Sequence, residues 1–140
     1  MTEPEQIPGI CIRPERIRAE AFARVLNASG LGARRPVGDL DRLQRMLDGS
    51  GIVVTARAGD RLVGVSRAIT DGAYATYLSD LAVDKEWQGQ GIGRALMTET
   101  RRLAGPECMC LLVAAPDAVP FYRQIGMPVC DTAFLYPREG

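Results

Sequence analysis

The 140-residue sequence contains no histidine. A Ser-His-Asp triad, a Cys-His pair, an H-E-x-x-H zinc site and a histidine general base are therefore excluded together. Any catalysis must run on Tyr, Asp/Glu, Lys/Arg, Cys, Ser/Thr, backbone groups or a bound cofactor. An excess of charge of one sign is missing too. Lys+Arg and Asp+Glu stand at 17 each, so nothing draws the chain generally toward nucleic acid or an anionic membrane, and neither partner is expected. No apolar run reaches the roughly 20 residues that cross a bilayer. The opening Met1-Thr2-Glu3-Pro4-Glu5-Gln6 lacks the basic and apolar regions of a secretory signal. A cytoplasmic location is the expectation.

Cysteine is sparse: Cys11, Cys108, Cys110 and Cys130. The one close pair is C-x-C within an apolar stretch, and no second pair supplies the other half of a zinc site. All four read as free buried thiols, with Cys110 and Cys130 as small core residues in strands. No metal is expected.

What is present suits one globular domain over residues 1–140, with residues 1–8 expected to be flexible. Gly9–Arg13 alternates weakly as an opening strand, and Pro14 suits the first turn of a helix. Ile17, Ala21, Val25 and Ala28 make the apolar stripe of that helix, which Gly30 can stop. Asp39 is a plausible N-cap for a second helix carrying Leu40, Leu43 and Leu47. The period then changes to that of strands. Ile52–Arg57, Arg61–Ile69 and Tyr74–Val83 are separated by Gly59-Asp60 and Asp71-Gly72 turns, an antiparallel meander. A helix from about Gly91 to Ala104 follows, with Ile92, Ala95, Leu96 and Leu103 buried, and Gly105-Pro106 ends it. Met109–Ala114 is a strand apolar enough to be covered on both faces. Pro116–Ile125 is a short helix, and Val129–Tyr136 a final strand. The layout β-αα-βββ-α-β-α-β is an α+β domain with a mixed sheet.

Chemistry concentrates at the turn Gln88-Gly89-Gln90-Gly91-Ile92-Gly93-Arg94. Glycines at alternate positions let backbone approach a ligand closely, and the helix that follows offers free amides and a partial positive charge. The turn therefore suits a phosphate or pyrophosphate, with Arg94 as an added contact. It is not the dinucleotide fingerprint, which would need glycine where Arg94 stands, and no G-K-[ST] follows as in a P-loop. A purely structural tight turn is the alternative.

The flanking residues carry a resemblance. Gln88-Gly89-Gln90-Gly91-Ile92-Gly93 matches the Q/R-x-x-G-x-G/A signature of the GCN5-related N-acetyltransferases (GNATs). Leu78-Ser79-Asp80-Leu81-Ala82-Val83-Asp84 resembles their fourth strand, and Pro120-Phe121-Tyr122-Arg123-Gln124-Ile125-Gly126-Met127 their F-Y-x-x-x-G-F segment. Order, spacing and layout agree from about residue 9, most strongly from Ile52 to Met127. Two departures stand out. Met127 replaces the usual Phe, and Ala114-Ala115-Pro116-Asp117 lacks the asparagine that many relatives place near position 115, so cofactor contacts from that segment are in doubt.

The resemblance implies acetyl-CoA as donor substrate and an amine as acceptor. Amides of Gln88, Gly89, Gln90, Gly91, Ile92, Gly93 and Arg94 would cradle the pyrophosphate. Leu81, Ala82 and Val83 would meet the pantetheine arm through backbone groups, the Val83 N–H polarising the thioester carbonyl, an effect on the order of a few kcal/mol elsewhere. Tyr122 would protonate the departing thiolate, a step open to a phenol of pKa about 10 held in place; the alternative is that it packs beside Phe121 and only touches CoA. Asp80 alternates with Leu78 and Ala82 on an otherwise apolar strand face. It could take a proton or hold the substrate ammonium, or it could be a structural acceptor. Tyr77 and Ser79, on the other face, are candidates for the acceptor pocket, as is Tyr74. Arg34 and Arg35 read as a solvated loop, the alternative being a preference for an anionic substrate. Trp87 reads as a packing anchor. Sheet edges in this fold frequently pair, so a homodimer is plausible. The functional alternative is a non-catalytic acyl-CoA-binding or regulatory domain.

Overall fold

A run such as Ile52-Val53-Val54 needs apolar cover on both sides, because successive strand residues face opposite ways. The computed structural model, which describes residues 3–140, supplies it. Strands β1 (Cys11–Pro14), β2 (Ile52–Ala58), β3 (Arg61–Thr70), β4 (Ala75–Val83) and β5 (Met109–Leu111) pair in chain order. β1 to β4 are antiparallel, and β5 runs parallel to β4. Helices α1 (Ala19–Ser29) and α2 (Leu40–Asp48) cover one face, where Phe22, Leu26, Leu43 and Leu47 meet Val53, Val65 and Ala82. Helix α3 (Ile92–Ala104) covers the other, setting Ile92 and Leu96 against Val54, Ala56 and Val63. Each fully buried Leu, Ile or Phe contributes about 1.5–3 kcal/mol of transfer free energy. A 3-10 turn (Pro116–Ala118) and helix α4 (Val119–Gln124) follow β5.

Local chemistry sets several boundaries as the sequence suggests. Asp39 caps α2 by accepting from the Arg42 amide at 3.0 Å. Gly30 ends α1 in the left-handed conformation. The Asp71 carboxylate gathers the amides of Ala73, Tyr74 and Ala75, closing the β3–β4 turn.

Other expectations are corrected. Pro14 ends β1 rather than opening a helix, and α1 starts only at Ala19, with Phe22 and Leu26 beside Val25 on its buried line. Leu103 is exposed. The buried row of α3 advances in steps of four through Ile92, Leu96, Thr100 and Ala104, and Leu103 lies about 100° round the helix from Ala104. Strand β5 has only three residues, and Met109 is exposed. The final strand does not form. Val129, Phe134 and Tyr136 are 80%, 98% and 100% exposed, because a lone extended segment has no backbone partner to hold it. Cys130 is exposed with that segment, Cys11 is exposed on β1, and Cys108 and Cys110 are half-buried; all four are free. The expected flexibility of residues 1 and 2 lies outside the described residues, whereas Ile7 packs against the α3-side core.

The most consequential correction concerns β4. Asp80 is opposite Arg67, but Leu78 is opposite Ala68, so Ser79 is an extra residue: a β-bulge. The bulge reverses the alternation. Leu78 joins the α3-side core, while Ala82 joins the α1/α2-side core. Asp80 and Leu78 therefore do not share a face. Pairing of β4 with β5 stops at Tyr77, immediately before the bulge, leaving the β4 edge from Leu78 to Val83 open.

Candidate active site

That open edge is one wall of a groove of about 1110 Å³. Leu81, Ala82 and Val83 line it from that edge, and the start of α3 and helix α4 complete its lining. Gly89 and Gly91 adopt φ of +83° and +88°, a region that other residues enter only with strain. A Cβ at either would meet nothing within 4 Å, so these backbones face open space. Gly93 is small for a different reason: a Cβ there would lie 3.1 Å from the Phe121 ring, where α3 and α4 close together.

Helix α3 has no side-chain N-cap and no acid in its first turn. Its first internal bond joins the Ala95 amide to Gly91 O at 3.0 Å, leaving the amides of Ile92, Gly93 and Arg94 without an intrahelical acceptor. Arg34, Lys85 and Arg94 line the groove against one carboxylate, Asp117. Free amides, a helix N-terminus and three cations fit a polyphosphate ligand. Gln88 Nε2 donates to Val83 O at 2.9 Å, tying the turn to the end of β4. Among the described residues no acid, cysteine and histidine group could hold a metal.

Tyr122 lines the same groove from α4, its ring edge-on to Phe121 with centroids 5.1 Å apart. Burial pushes the phenol above its ordinary pKa and Cys110 adds to this, while the Arg35 charge pulls the other way. The hydroxyl is therefore protonated at neutral pH and is a proton donor. Burial likewise raises the Cys110 thiol, with Arg101 opposing.

Asp80 lies deeper. Its side chain is wholly enclosed, and Arg35 Nε and Arg67 Nε donate to separate carboxylate oxygens. Arg67 also donates to Ser79 Oγ at 2.7 Å and Ser50 Oγ at 3.1 Å. Arg35 donates to Ser79 O at 2.8 Å and Arg34 O at 2.9 Å. With a guanidinium on each oxygen and no exposed surface, Asp80 has no open path to a substrate proton. Its geometry is that of a structural anchor. Arg35, read from the sequence as a solvated loop residue, is instead fastened to β4 with 21% of its side chain exposed.

Ten residues expected around the donor thus line one groove: Leu81, Ala82, Val83, Gln88, Gly89, Gly91, Ile92, Gly93, Arg94 and Tyr122. Gln90 is exposed outside it, and Tyr77, Ser79 and Asp80 are not in its lining. Sequence reasoning missed Lys85, Ala118 and the lining role of Trp87, all of which border the groove; of the Ala114–Asp117 stretch, whose cofactor contacts it left open, Ala115, Pro116 and Asp117 border it too. Nothing in their residue types marks them, since proximity comes from the 3-10 turns Lys85–Trp87 and Pro116–Ala118.

Residues 30–134 match the family model of the acetyltransferase (GNAT) domain. The chain is 33% identical over 85 residues to an uncharacterized N-acetyltransferase of Porphyra purpurea, covering 56% of this chain and 48% of that one. It is 35% identical over 114 residues to a chloroplastic serotonin N-acetyltransferase of Oryza sativa subsp. japonica, covering 76% of this chain and 52% of that one. The chain thus spans about half the length of these curated relatives. A GNAT-family acetyltransferase of Streptococcus pneumoniae superposes with a TM-score of 0.75 at 26% identity, covering 94% of this chain and 99% of that one.

Proposed function

The chain belongs to the GCN5-related N-acetyltransferase family, and from that premise we propose that it moves an acetyl group from acetyl-CoA to a primary amine of a small molecule or peptide. One observation carries the reading. A single groove joins the free amides of α3, the open edge of β4 and the Tyr122 phenol. The cations and amides suit the pyrophosphate, and Leu81 to Val83 offer backbone groups for the pantetheine arm, with the Val83 N–H toward the thioester oxygen.

In this scheme the neutral amine nitrogen attacks the thioester carbon, forming C–N. The C–S bond then breaks, and the thiolate takes the Tyr122 proton. The proton lost by the amine passes to water, which suits a site whose Asp80 is enclosed. Tyr122 regains its proton from solvent after release. The phenol is protonated at rest and half-buried beside Phe121, as such an acid should be.

The test is release of CoA thiol across a panel of amines. Turnover with any amine supports transfer. Tight acetyl-CoA binding with no release on any of them would make the chain a non-catalytic acyl-CoA-binding domain. Four free thiols support a reducing, cytoplasmic setting, which fractionation would check. The unpaired outer edge of β5 and the apolar, extended 129–136 segment support a homodimer, which sedimentation would check.

A further inference from the structure

Two shortfalls in the sheet match each other. Met109–Ala114 reads as a strand but β5 stops at Leu111, and the strand read over Val129–Tyr136 does not form. β5 is the last strand of the sheet, with nothing beyond it. Met109 gives its N–H inward to Tyr74 O at 2.9 Å, so by strand alternation the N–H and C=O of Cys110 face the open side. Tyr74, Met109 and Val113, around that edge, are each more than half exposed. Among the described residues no backbone hydrogen bond ties 128–140 to another element. After the turn at Asp131-Thr132, the run Ala133-Phe134-Leu135-Tyr136 lies exposed. One part of the molecule is an edge without a strand, and the other a strand without an edge.

The sheet's other edge is guarded. β1 ends at Pro14, which has no N–H to give, and the Arg13–Glu15 ion pair lies beside it; such an edge resists a further strand. Residues 108–115, Cys-Met-Cys-Leu-Leu-Val-Ala-Ala, hold neither charge nor proline. The chain's own tail is drawn away from them. Its Gly140 carbonyl accepts from Arg42 on α2 at 3.4 Å. Helix α2 packs with Val53 of β2 and Val65 of β3, which lie inside the sheet on the far side of β4 from β5. Pro137 follows Tyr136 and fixes where an added ladder must stop.

We propose that Ala133–Tyr136 of one copy adds as a strand to the open edge of β5, along Met109 to Val113, in a second copy, and that the exchange is reciprocal about a two-fold axis. The inference rests on the homodimer reading above and supplies its contact. Alternation puts Phe134 and Tyr136 on one side of the added strand and Leu135 on the other. Aromatic side chains bury roughly 150–250 Å² each. With the edge that they cover, those of both copies reach the roughly 1,200–2,000 Å² of a stable interface. An added strand also continues β5 through Leu112 and Val113, just before Ala115, Pro116 and Asp117 on the groove.

Sedimentation equilibrium of the full chain should show a dimer. Phe134→Asp should raise its dissociation constant by at least about tenfold, and Val113→Lys, which puts a charge on the edge, should do the same. Phe134 touches almost nothing within one chain, so its replacement leaves the monomer's fold intact, which circular dichroism checks. Leu103→Asp, on the exposed side of α3, is the control and should leave the dimer in place. Cross-linking then separates exchange between copies from pairing within one. Equal amounts of the Met109→Cys chain, one portion labelled with heavy nitrogen, are unfolded together, refolded and treated with a short bismaleimide. Mass spectrometry should find links between position 109 and Cys130 that join labelled to unlabelled peptides. A dimer without such mixed links would overturn the exchange and leave the homodimer reading in place. So would a dimer that Phe134→Asp and Val113→Lys leave unweakened. Sedimentation as a monomer would overturn both.

Discussion

The groove at the start of α3 and the ion-pair cluster on β4 are built in opposite ways. At the α3 end the working groups are backbone amides, exposed because Gly89 and Gly91 take left-handed conformations and because no side chain caps the helix. In the cluster on β4, outside the groove lining, they are side chains from residues 35, 67 and 80, brought together by the loop after α1, by β3 and by the bulge of β4. A backbone cradle depends on a few consecutive residues. A side-chain cluster depends on the whole fold, and its parts are worth little separately. The first kind of site tolerates changes around it and fails at its glycines; the second fails when any partner is removed.

Removing Asp80 should separate the two regions most sharply. Asp80→Ala leaves two guanidinium groups without their counter-charge, and the loss of stability should be about 3–5 kcal/mol, read by urea denaturation. A loss under about 1 kcal/mol would mean that the cluster is not the anchor described. Next, Tyr122→Phe should lower kcat by about 10²- to 10⁴-fold with little change in acetyl-CoA KM, because the ring still packs on Phe121 while the proton is gone. Steady-state kinetics checks this, and an unchanged kcat would take Tyr122 out of the chemistry.

Gly91→Ala against Gly72→Ala compares two left-handed glycines, one in the groove and one in a surface turn. Each should lose about 1–2 kcal/mol of stability from backbone strain. Only Gly91→Ala should also weaken acetyl-CoA binding, by roughly tenfold, since its amides would shift; calorimetry of the two variants decides. The smallest effect is at the β3–β4 turn. The amides of Ala73, Ala75 and Tyr74 lower the Asp71 carboxyl from 3.8 to about 2. The folded pKa lies below the unfolded one, so the contribution is present above about pH 4 and lost as pH falls toward 2. Asp71→Asn should flatten that acid limb in a pH series of melting temperatures, without altering acyl transfer at neutral pH.

Much of the fold was legible because its signals are local. The meander from Ile52 to Val83 shows a strand period broken by Gly59-Asp60 and Asp71-Gly72. The start of α3 shows in the alternate glycines. Asp39 and Gly30 mark helix ends by capping chemistry that needs no tertiary partner. The failures share a cause. Pro14 was compatible with a helix start or a strand end, and only pairing with Val54 placed it in β1. The 129–136 segment has strand-forming residues but no neighbour to pair with among the described residues. Arg35 has nothing in its sequence neighbourhood that announces a bond to a carboxylate 45 positions away.

The Gln88–Arg94 cradle, the strand before it and the helix after it follow from the sequence alone, since glycine conformation and helix polarity are properties of adjacent residues. The absence of histidine likewise excludes histidine-dependent mechanisms within these 140 residues. The tertiary structure alone decided which face Asp80 occupies. One extra residue in β4 reverses the side-chain alternation, and that residue is visible only in the pairing with β3. The reversal moves the carboxylate from a candidate base to an anchor between two arginines, and turns Arg35 from a solvated loop residue into a partner of β4.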